Sequence, residues 1–134
     1  MLEEYRVTVV AHGTTGLPLV RGNRVALQQV VMNLMMNAIE AMRDLPAAHR
    51  LIEIAGEAEE GEVRLSVRDH GPGVPDLMRR KVFEPFTSSK GDGMGMGLAI
   101  SRSIVDSHDG ELSVDDAPEG GAVFSIVLPV AGEG

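Results

Sequence analysis

A run of glycines at alternate positions is the part of the sequence whose spacing points most directly to ligand chemistry. In the segment K-G-D-G-M-G-M-G the glycines are Gly91, Gly93, Gly95 and Gly97, and a helical pattern follows at once. Backbone N–H groups at the start of a helix can bind phosphate without any charged side chain. The run has neither the Gly-Lys-Ser/Thr ending of a Walker A loop nor Rossmann G-x-G-x-x-G spacing. We therefore predict a phosphate-binding loop of another kind.

A polar stripe interrupts an otherwise apolar helical segment. Its members are Gln29, Asn33, Asn37 and Glu40. They fall on one narrow face because residues in an α-helix advance about 100° each. The stripe is either a row of solvent-facing polar groups or the wall of a ligand site. The second interpretation has a chemical basis, since an Asn carbonyl is a hard oxygen ligand of the kind that Mg²⁺ prefers.

The segment D-H-G-P-G places a carboxylate next to two glycines. Asp69 could accept a hydrogen bond from an exocyclic amine, and Gly71 and Gly73 would let the backbone approach a flat ligand closely. The same pattern is also an everyday turn, so by itself it leaves both interpretations open.

The elements that must position these residues follow from periodicity, turn residues and capping signals. We predict strands at 5–10, 51–58, 62–69, 111–116 and 122–129, a brief strand at 18–20, helices from Asn23 to about residue 44, at 75–81 and at 98–108, and a loop at 84–97. This order favours an α/β (α+β) two-layer sandwich in which helices cover one face of a mixed, mostly antiparallel sheet. With no repeat or linker, the chain is predicted to be one domain, residues 1–134.

Composition excludes several classes of partner. The formal net charge of −8 argues against nucleic acid and against direct contact with an anionic membrane. No apolar run approaches the roughly 20 residues of a membrane-spanning helix. The sequence has no cysteine, so disulfides and thiolate metal sites are excluded.

Taken together, five segments resemble the ATP-binding catalytic domain of two-component sensor histidine kinases, the Bergerat fold shared with gyrase B, Hsp90 and MutL. The segment NLMMNAIEAM resembles the N box, and its NAIEAM portion is similar to the nitrogen-sensor-like branch. The other four are DHGPG (G1 box), FEPFTSSK (F box), GDGMGMGLAI (G2 box) and the closing strand GGAVFSIVLP. All five occur in the family's order between residues 23 and 129.

The resemblance implies a role for particular residues. Asn37 matches the Mg²⁺ ligand, Asn33 lies near the phosphates, and Asp69 matches the adenine-binding carboxylate. The complete set implied to bind ATP is Asn33, Asn37, Asp69, Gly71, Gly73, Lys90, Gly93, Gly95, Gly97 and Leu98, with Asn33 and Lys90 as the catalytic residues. We also expect Gly95 and Gly97 to need positive φ and to leave room for the phosphates.

Asn33 stands where ATP-hydrolysing members of the family are expected to carry a glutamate. An amide cannot act as a general base at neutral pH, so the site is expected to present the γ-phosphate rather than hydrolyse it. Transfer would rest on positioning and on charge neutralisation by Mg²⁺. The four histidines, His12, His49, His70 and His108, do not fit an acceptor helix and are interpreted as surface or local structural residues.

The phosphoacceptor is therefore expected on a separate dimerisation domain, a helical hairpin of the same kinase, with a response regulator downstream. The domain should be nearly inactive without that hairpin. The expected location is the cytoplasm, including the cytoplasmic end of a membrane-anchored sensor. Two alternatives on the same fold stay open: an anti-sigma-factor-type serine kinase and a non-catalytic, gyrase-like ATP-binding module.

Overall fold

The computed structural model describes residues 7–13, 22–73, 97–117 and 120–130. Within these ranges the strands are β1 (Thr8–His12), β2 (Leu51–Glu59), β3 (Glu62–Arg68), β4 (Glu111–Asp116) and β5 (Ala122–Pro129). The helices are α1 (Arg24–Ala41) and α2 (Gly97–Ser107), and a single 3₁₀ turn covers Ala47–His49.

The strands form one sheet in the order β1-β2-β3-β5-β4. β1 runs parallel to β2, and the other three neighbouring pairs are antiparallel. A parallel pair needs a crossover connection, and α1 lies in the chain between these two strands. The prediction of a mixed, mostly antiparallel sheet is confirmed.

One face of the sheet is apolar and carries both helices. Ile54, Val67, Phe124 and Val114 lie in register across four strands, and side chains of adjacent strands at paired positions share a face. These residues belong to the same cluster as the buried side chains of the helices, which include Val30, Leu34, Ala38, Leu98 and Val105. The two-layer sandwich is thus confirmed, and the core lies between the helix pair and this face.

Helix α1 begins as predicted and ends earlier. The Asn23 side chain caps it by accepting a hydrogen bond from the Ala26 N–H. The predicted end near residue 44 is wrong, because the regular helix stops at Ala41 and a turn follows. Leu45 precedes a proline, a position that disfavours helical backbone. Arg50 then satisfies the carbonyls of this turn, donating to Leu45 O at 2.9 Å and Arg43 O at 3.0 Å.

His108 connects the end of α2 to the start of α1. Its Nε2 lies 3.0 Å from the backbone nitrogen of Asn23, and its Nδ1 lies 2.7 Å from the Ile104 carbonyl oxygen. A backbone N–H can only donate and a carbonyl can only accept, so Nε2 is the acceptor and Nδ1 carries the proton. This is the local structural role that the sequence suggested for a histidine.

The remaining boundaries agree with prediction to within one residue, except at β1. This strand covers Thr8–His12 rather than 5–10, because its register pairs Thr8 with Leu51 and His12 with Ala55. The predicted strand at 18–20, the helix at 75–81 and most of the loop at 84–97 lie outside the described residues. No helix in the described ranges is long and apolar enough to cross a bilayer.

Candidate nucleotide-binding site

Asp69 is a buried carboxylate placed by the backbones of two strands. It directly follows β3 and is 1% exposed. Its own N–H donates to Ala122 O at 3.0 Å. Its Oδ1 accepts from the N–H of Gly71 at 2.8 Å and from that of Ala122 at 3.3 Å. The position of this side chain is therefore fixed by main-chain groups rather than by other side chains.

Burial dominates the protonation equilibrium of this group. Loss of water raises the pKa of Asp69 above its usual value of 3.8. The two backbone N–H groups and the charges of His70 and Arg68 act in the opposite direction, but they do not cancel that effect. Buried carboxyls with raised pKa values are frequent at functional sites, so this is the described acid best suited to ligand recognition.

Glycines allow the backbone to close around Asp69. Gly121 has φ +88°, and a Cβ there would overlap with the Asp69 carbonyl oxygen and lie 2.9 Å from its carbon. A Cβ on Gly71 would lie 2.7 Å from the Ala41 carbonyl oxygen at the end of α1. Gly73 has φ +84°, and its Cβ would lie 3.3 Å from Gly121 O. Real Cβ atoms essentially never approach backbone this closely, so Gly71 and Gly121 are required by packing.

Gly121 was not among the predicted site residues, although its segment was recognised as a closing glycine strand. The available signal was the Gly120-Gly121 pair directly before β5. Its importance could not be read from that pair alone. Gly121 is important because the backbone of Asp69, which lies 52 positions earlier in the sequence, packs against it.

Three polar side chains, from His70, Glu53 and Arg68, form a cluster beside the turn. His70 Nε2 lies 2.8 Å from Glu53 Oε2, and Arg68 Nη1 lies 3.8 Å from the same oxygen. The backbone N–H of His70 also donates to the Met42 sulfur at 3.4 Å. These contacts connect the residue after Asp69 to both the sheet and the end of α1.

The amide stripe of α1 forms the second part of the site. Asn33 and Asn37 are both half-buried and lie one helical turn apart. The Asn33 Nδ2 donates to Gly97 O at 3.2 Å and to Ser101 Oγ at 3.1 Å, which connects this part to the start of α2. Of the other stripe members, Gln29 is exposed and Glu40 pairs with Arg43 at 2.8 Å.

Two predictions about the start of α2 change. Gly97 is the first residue of the helix and is not among the positive-φ glycines, so the expectation of positive φ is wrong there. Among the described residues outside its own helix backbone, the nearest atom to a Cβ on Gly97 would be Asn33 Cγ at 3.8 Å, an ordinary contact. The Leu98 side chain is 5% exposed and packs in the core, because it begins the apolar face of α2. Lys90, Gly93 and Gly95 lie outside the described residues.

Helix α1 spans the two parts of the site. Ala41, which contacts the Asp69 turn, follows Asn33 by eight positions, a separation of about 12 Å along the helix axis. We call the region around Asp69, Gly71, Gly73 and Gly121 the carboxylate end, and the region around Asn33, Asn37, Gly97 and Ser101 the amide end. The site is thus elongated, with a buried carboxyl group at one end and amide groups at the other.

Comparison with known proteins identifies this arrangement. Residues 22–132 match the family of histidine kinase-, DNA gyrase B- and HSP90-like ATPases. The C4-dicarboxylate transport sensor protein DctS of Rhodobacter capsulatus is 40% identical over 131 residues, which are 98% of this chain and 20% of that protein. The chain therefore spans about a fifth of that relative's length.

Solved structures of histidine kinases are similar over nearly the whole chain. The nucleotide-free catalytic domain of histidine kinase ThkA superimposes with a TM-score of 0.82 at 30% identity, covering 97% of this chain and 83% of that one. ThkA is also known in complex with the response regulator TrrA. Full-length ShkA in complex with AMPPNP gives a TM-score of 0.80 at 29% identity, over 96% of this chain and 27% of that one.

The family match and these similarities agree with the buried carboxylate, the amide stripe and the sheet topology. The chain belongs to the histidine kinase-, DNA gyrase B- and HSP90-like ATPase family, and the relatives named above are sensor proteins and histidine kinases.

Proposed function

We propose that this domain binds Mg-ATP along α1, from Asp69 at the carboxylate end to Asn33 at the amide end, and presents the γ-phosphate to a histidine on a separate helical hairpin. The observation that carries the proposal is the 1% exposed Asp69, held by the N–H groups of Gly71 and Ala122. A buried acceptor fixed in this way can select a base that offers an exocyclic amine. Adenine has such an amine, whereas guanine has a carbonyl at the equivalent place.

The amide end suits a metal ion that is coordinated mainly by phosphate oxygens and water rather than by protein side chains. The described residues contain no group of three or more His, Asp or Glu side chains that could hold a metal ion. Mg²⁺ typically takes one or two protein oxygens together with phosphate oxygens and water. Asn37, as ligand, and Asn33 beside it fit that requirement, and bound Mg²⁺ would neutralise charge on the phosphates. Lys90 and the glycines Gly93, Gly95 and Gly97 are proposed to complete the phosphate contacts.

The stripe provides amides where hydrolysis would need a carboxylate. Asn33 cannot take a proton from water at neutral pH, so ATP should persist until an acceptor arrives. In the transfer step a histidine nitrogen forms a bond to phosphorus, the bond from phosphorus to the β-phosphate oxygen breaks, and ADP leaves. We propose that the acceptor hairpin belongs to the same kinase, in the cytoplasm, and that a response regulator takes the phosphoryl group next. The known complex of ThkA with TrrA supports that last step.

Incubation with γ-labelled ATP, with and without the hairpin of the parent kinase, tests the proposal. The domain alone should release almost no phosphate and label no residue of its own, whereas the added hairpin should become labelled. The label should be acid-labile and alkali-stable, as phosphohistidine is. Asn37→Ala, on the same half-buried helix face, should abolish transfer without unfolding the domain.

Each alternative gives a different result in this assay. Rapid phosphate release by the domain alone would contradict the proposal and favour a gyrase-like ATPase. An alkali-labile, acid-stable product on an added protein would favour a serine kinase of the anti-sigma-factor type. Equal competition by GTP and ATP would contradict the role given to Asp69.

A further inference from the structure

Both amide hydrogens of Asn33 are used inside the protein. The Nδ2 atom lies 3.2 Å from the Gly97 carbonyl oxygen and 3.1 Å from Ser101 Oγ. A backbone carbonyl can only accept, so the side of the amide that faces Gly97 must be the nitrogen. This argument from the hydrogen-bond network assigns the orientation of the Asn33 amide group, which atom positions alone leave ambiguous.

The second acceptor is a fully buried hydroxyl. Ser101 is 0% exposed, and it lies one turn beyond Gly97 on α2. Buried polar side chains are generally hydrogen-bonded, and this hydroxyl accepts a hydrogen bond from the Asn33 amide. The two contacts therefore come from the first turn of α2 and hold one residue of α1.

We infer that Ser101 is a positioning residue for the amide end of the site. Together with the Gly97 carbonyl it occupies both N–H groups of Asn33, so that the Asn33 carbonyl oxygen is the atom left for a ligand. This inference rests on the proposed function and makes it more specific. A carbonyl oxygen repels phosphate oxygens and attracts a cation or its bound water, so Asn33 acts on the hydrated Mg²⁺ and not on the phosphates.

The inference predicts a selective effect on the metal-dependent part of binding. Calorimetric titration should compare Mg-ATP with ATP in the presence of a chelator, for the wild type, Ser101→Ala and Ser103→Ala. Ser103 is an exposed serine of the same helix and serves as the matched control. Ser101→Ala should reduce the gain in affinity that Mg²⁺ gives by about three- to tenfold, since one orienting hydrogen bond is lost. Metal-free affinity should stay unchanged, and Ser103→Ala should behave as wild type.

A second measurement uses the wild-type protein, so it does not depend on whether Ser101→Ala folds. In the wild type, the side-chain amide resonances of Asn33 can be assigned by nuclear magnetic resonance through their absence in Asn33→Asp. Both N–H groups are donated within the protein, so metal-free ATP should leave these resonances almost unshifted. A large shift with metal-free ATP would mean that the N–H groups face the phosphates, and the inference would be overturned.

The outcomes separate this inference from the proposed function. If Mg²⁺ gives no gain in affinity even in the wild type, the proposed use of Mg-ATP fails. If the wild type shows the gain and Ser101→Ala keeps all of it, the proposed function stands and the role of Ser101 is wrong. Equal losses of Mg-ATP and metal-free binding in Ser101→Ala would also overturn the inference, because they indicate a general structural defect.

Discussion

The two ends of the site are built by different parts of the protein. At the carboxylate end, main-chain N–H groups hold Asp69, and Gly71 and Gly121 let backbones approach within distances that no side chain permits. At the amide end, side chains of α1 reach the first turn of α2, and Gly97 has room for a Cβ. In the proposed function, base recognition would therefore depend on backbone packing, whereas phosphate and metal binding would depend on the orientation of side chains. The two ends should respond differently to similar substitutions.

The largest difference is expected from glycine substitutions in the turn before β5. Gly121→Ala should lower the free energy of unfolding by about 2–4 kcal/mol, because a Cβ there overlaps with the Asp69 carbonyl and φ is +88°. Gly120→Ala is the matched control, since Gly120 has φ +104° but no described residue beyond its chain neighbours places an atom within 4 Å of its Cβ. The free energy of unfolding of Gly120→Ala should fall by only about 1 kcal/mol, which is the cost of positive φ for a residue with a Cβ. Urea unfolding of both variants measures this, and equal losses would show that backbone crowding at Asp69 is unimportant.

Asp69→Asn should separate stability from nucleotide binding. The Asn Oδ1 can keep both backbone hydrogen bonds, and the substitution removes a charge whose burial is unfavourable. We expect at least a tenfold loss of ATP affinity, since a mismatched buried group costs about 1–3 kcal/mol. The apo protein should be at least as stable as the wild type at pH 7. Competition against a fluorescent ATP analogue and urea unfolding measure the two effects.

The same variant gives a defined pH dependence. Because the folded-state pKa of Asp69 is raised above 3.8, the folded protein binds this proton more tightly than the unfolded chain. The contribution of Asp69 to stability therefore decreases as pH rises from 3.8 through the raised value. The stability advantage of Asp69→Asn should be largest at pH 7 and should disappear as pH falls toward 3.8. An advantage that grows on acidification would contradict the burial argument.

The smallest effect on the fold is expected at the amide end. Gly97→Ala should change the free energy of unfolding by less than about 0.5 kcal/mol, because the position is helical and the nearest atom that the described part of the chain places beside its Cβ, outside the helix backbone, is 3.8 Å away. If Gly97 lies at the phosphates as proposed, the same variant should still weaken Mg-ATP binding. Thermal unfolding and calorimetric titration on one preparation test this pair of expectations. Destabilisation comparable with that of Gly121→Ala would remove the contrast between the two ends.

Sequence reasoning was most successful where the signal is local. The start of α1 at Asn23 and the bounds of β4 and β5 were predicted from residues close to them in the sequence. The end of α1 was placed too late because apolar spacing continues to Met42, whereas the backbone leaves the helix there to form the turn before Pro46. The start of β1 was misplaced because its limits depend on pairing with β2.

The sequence by itself determined the order of the elements and the chemical types available: one carboxylate in a glycine turn and three amides, with a second carboxylate, on one helix face. Only the tertiary structure decided which glycine is indispensable and which side of the Asn33 amide faces α2. The contacts that decide these points join residues 53 positions apart for Asp69 and Ala122, and 68 apart for Asn33 and Ser101. Local propensity carries no information about such pairs, because their proximity arises only when the helices and strands pack around a common core.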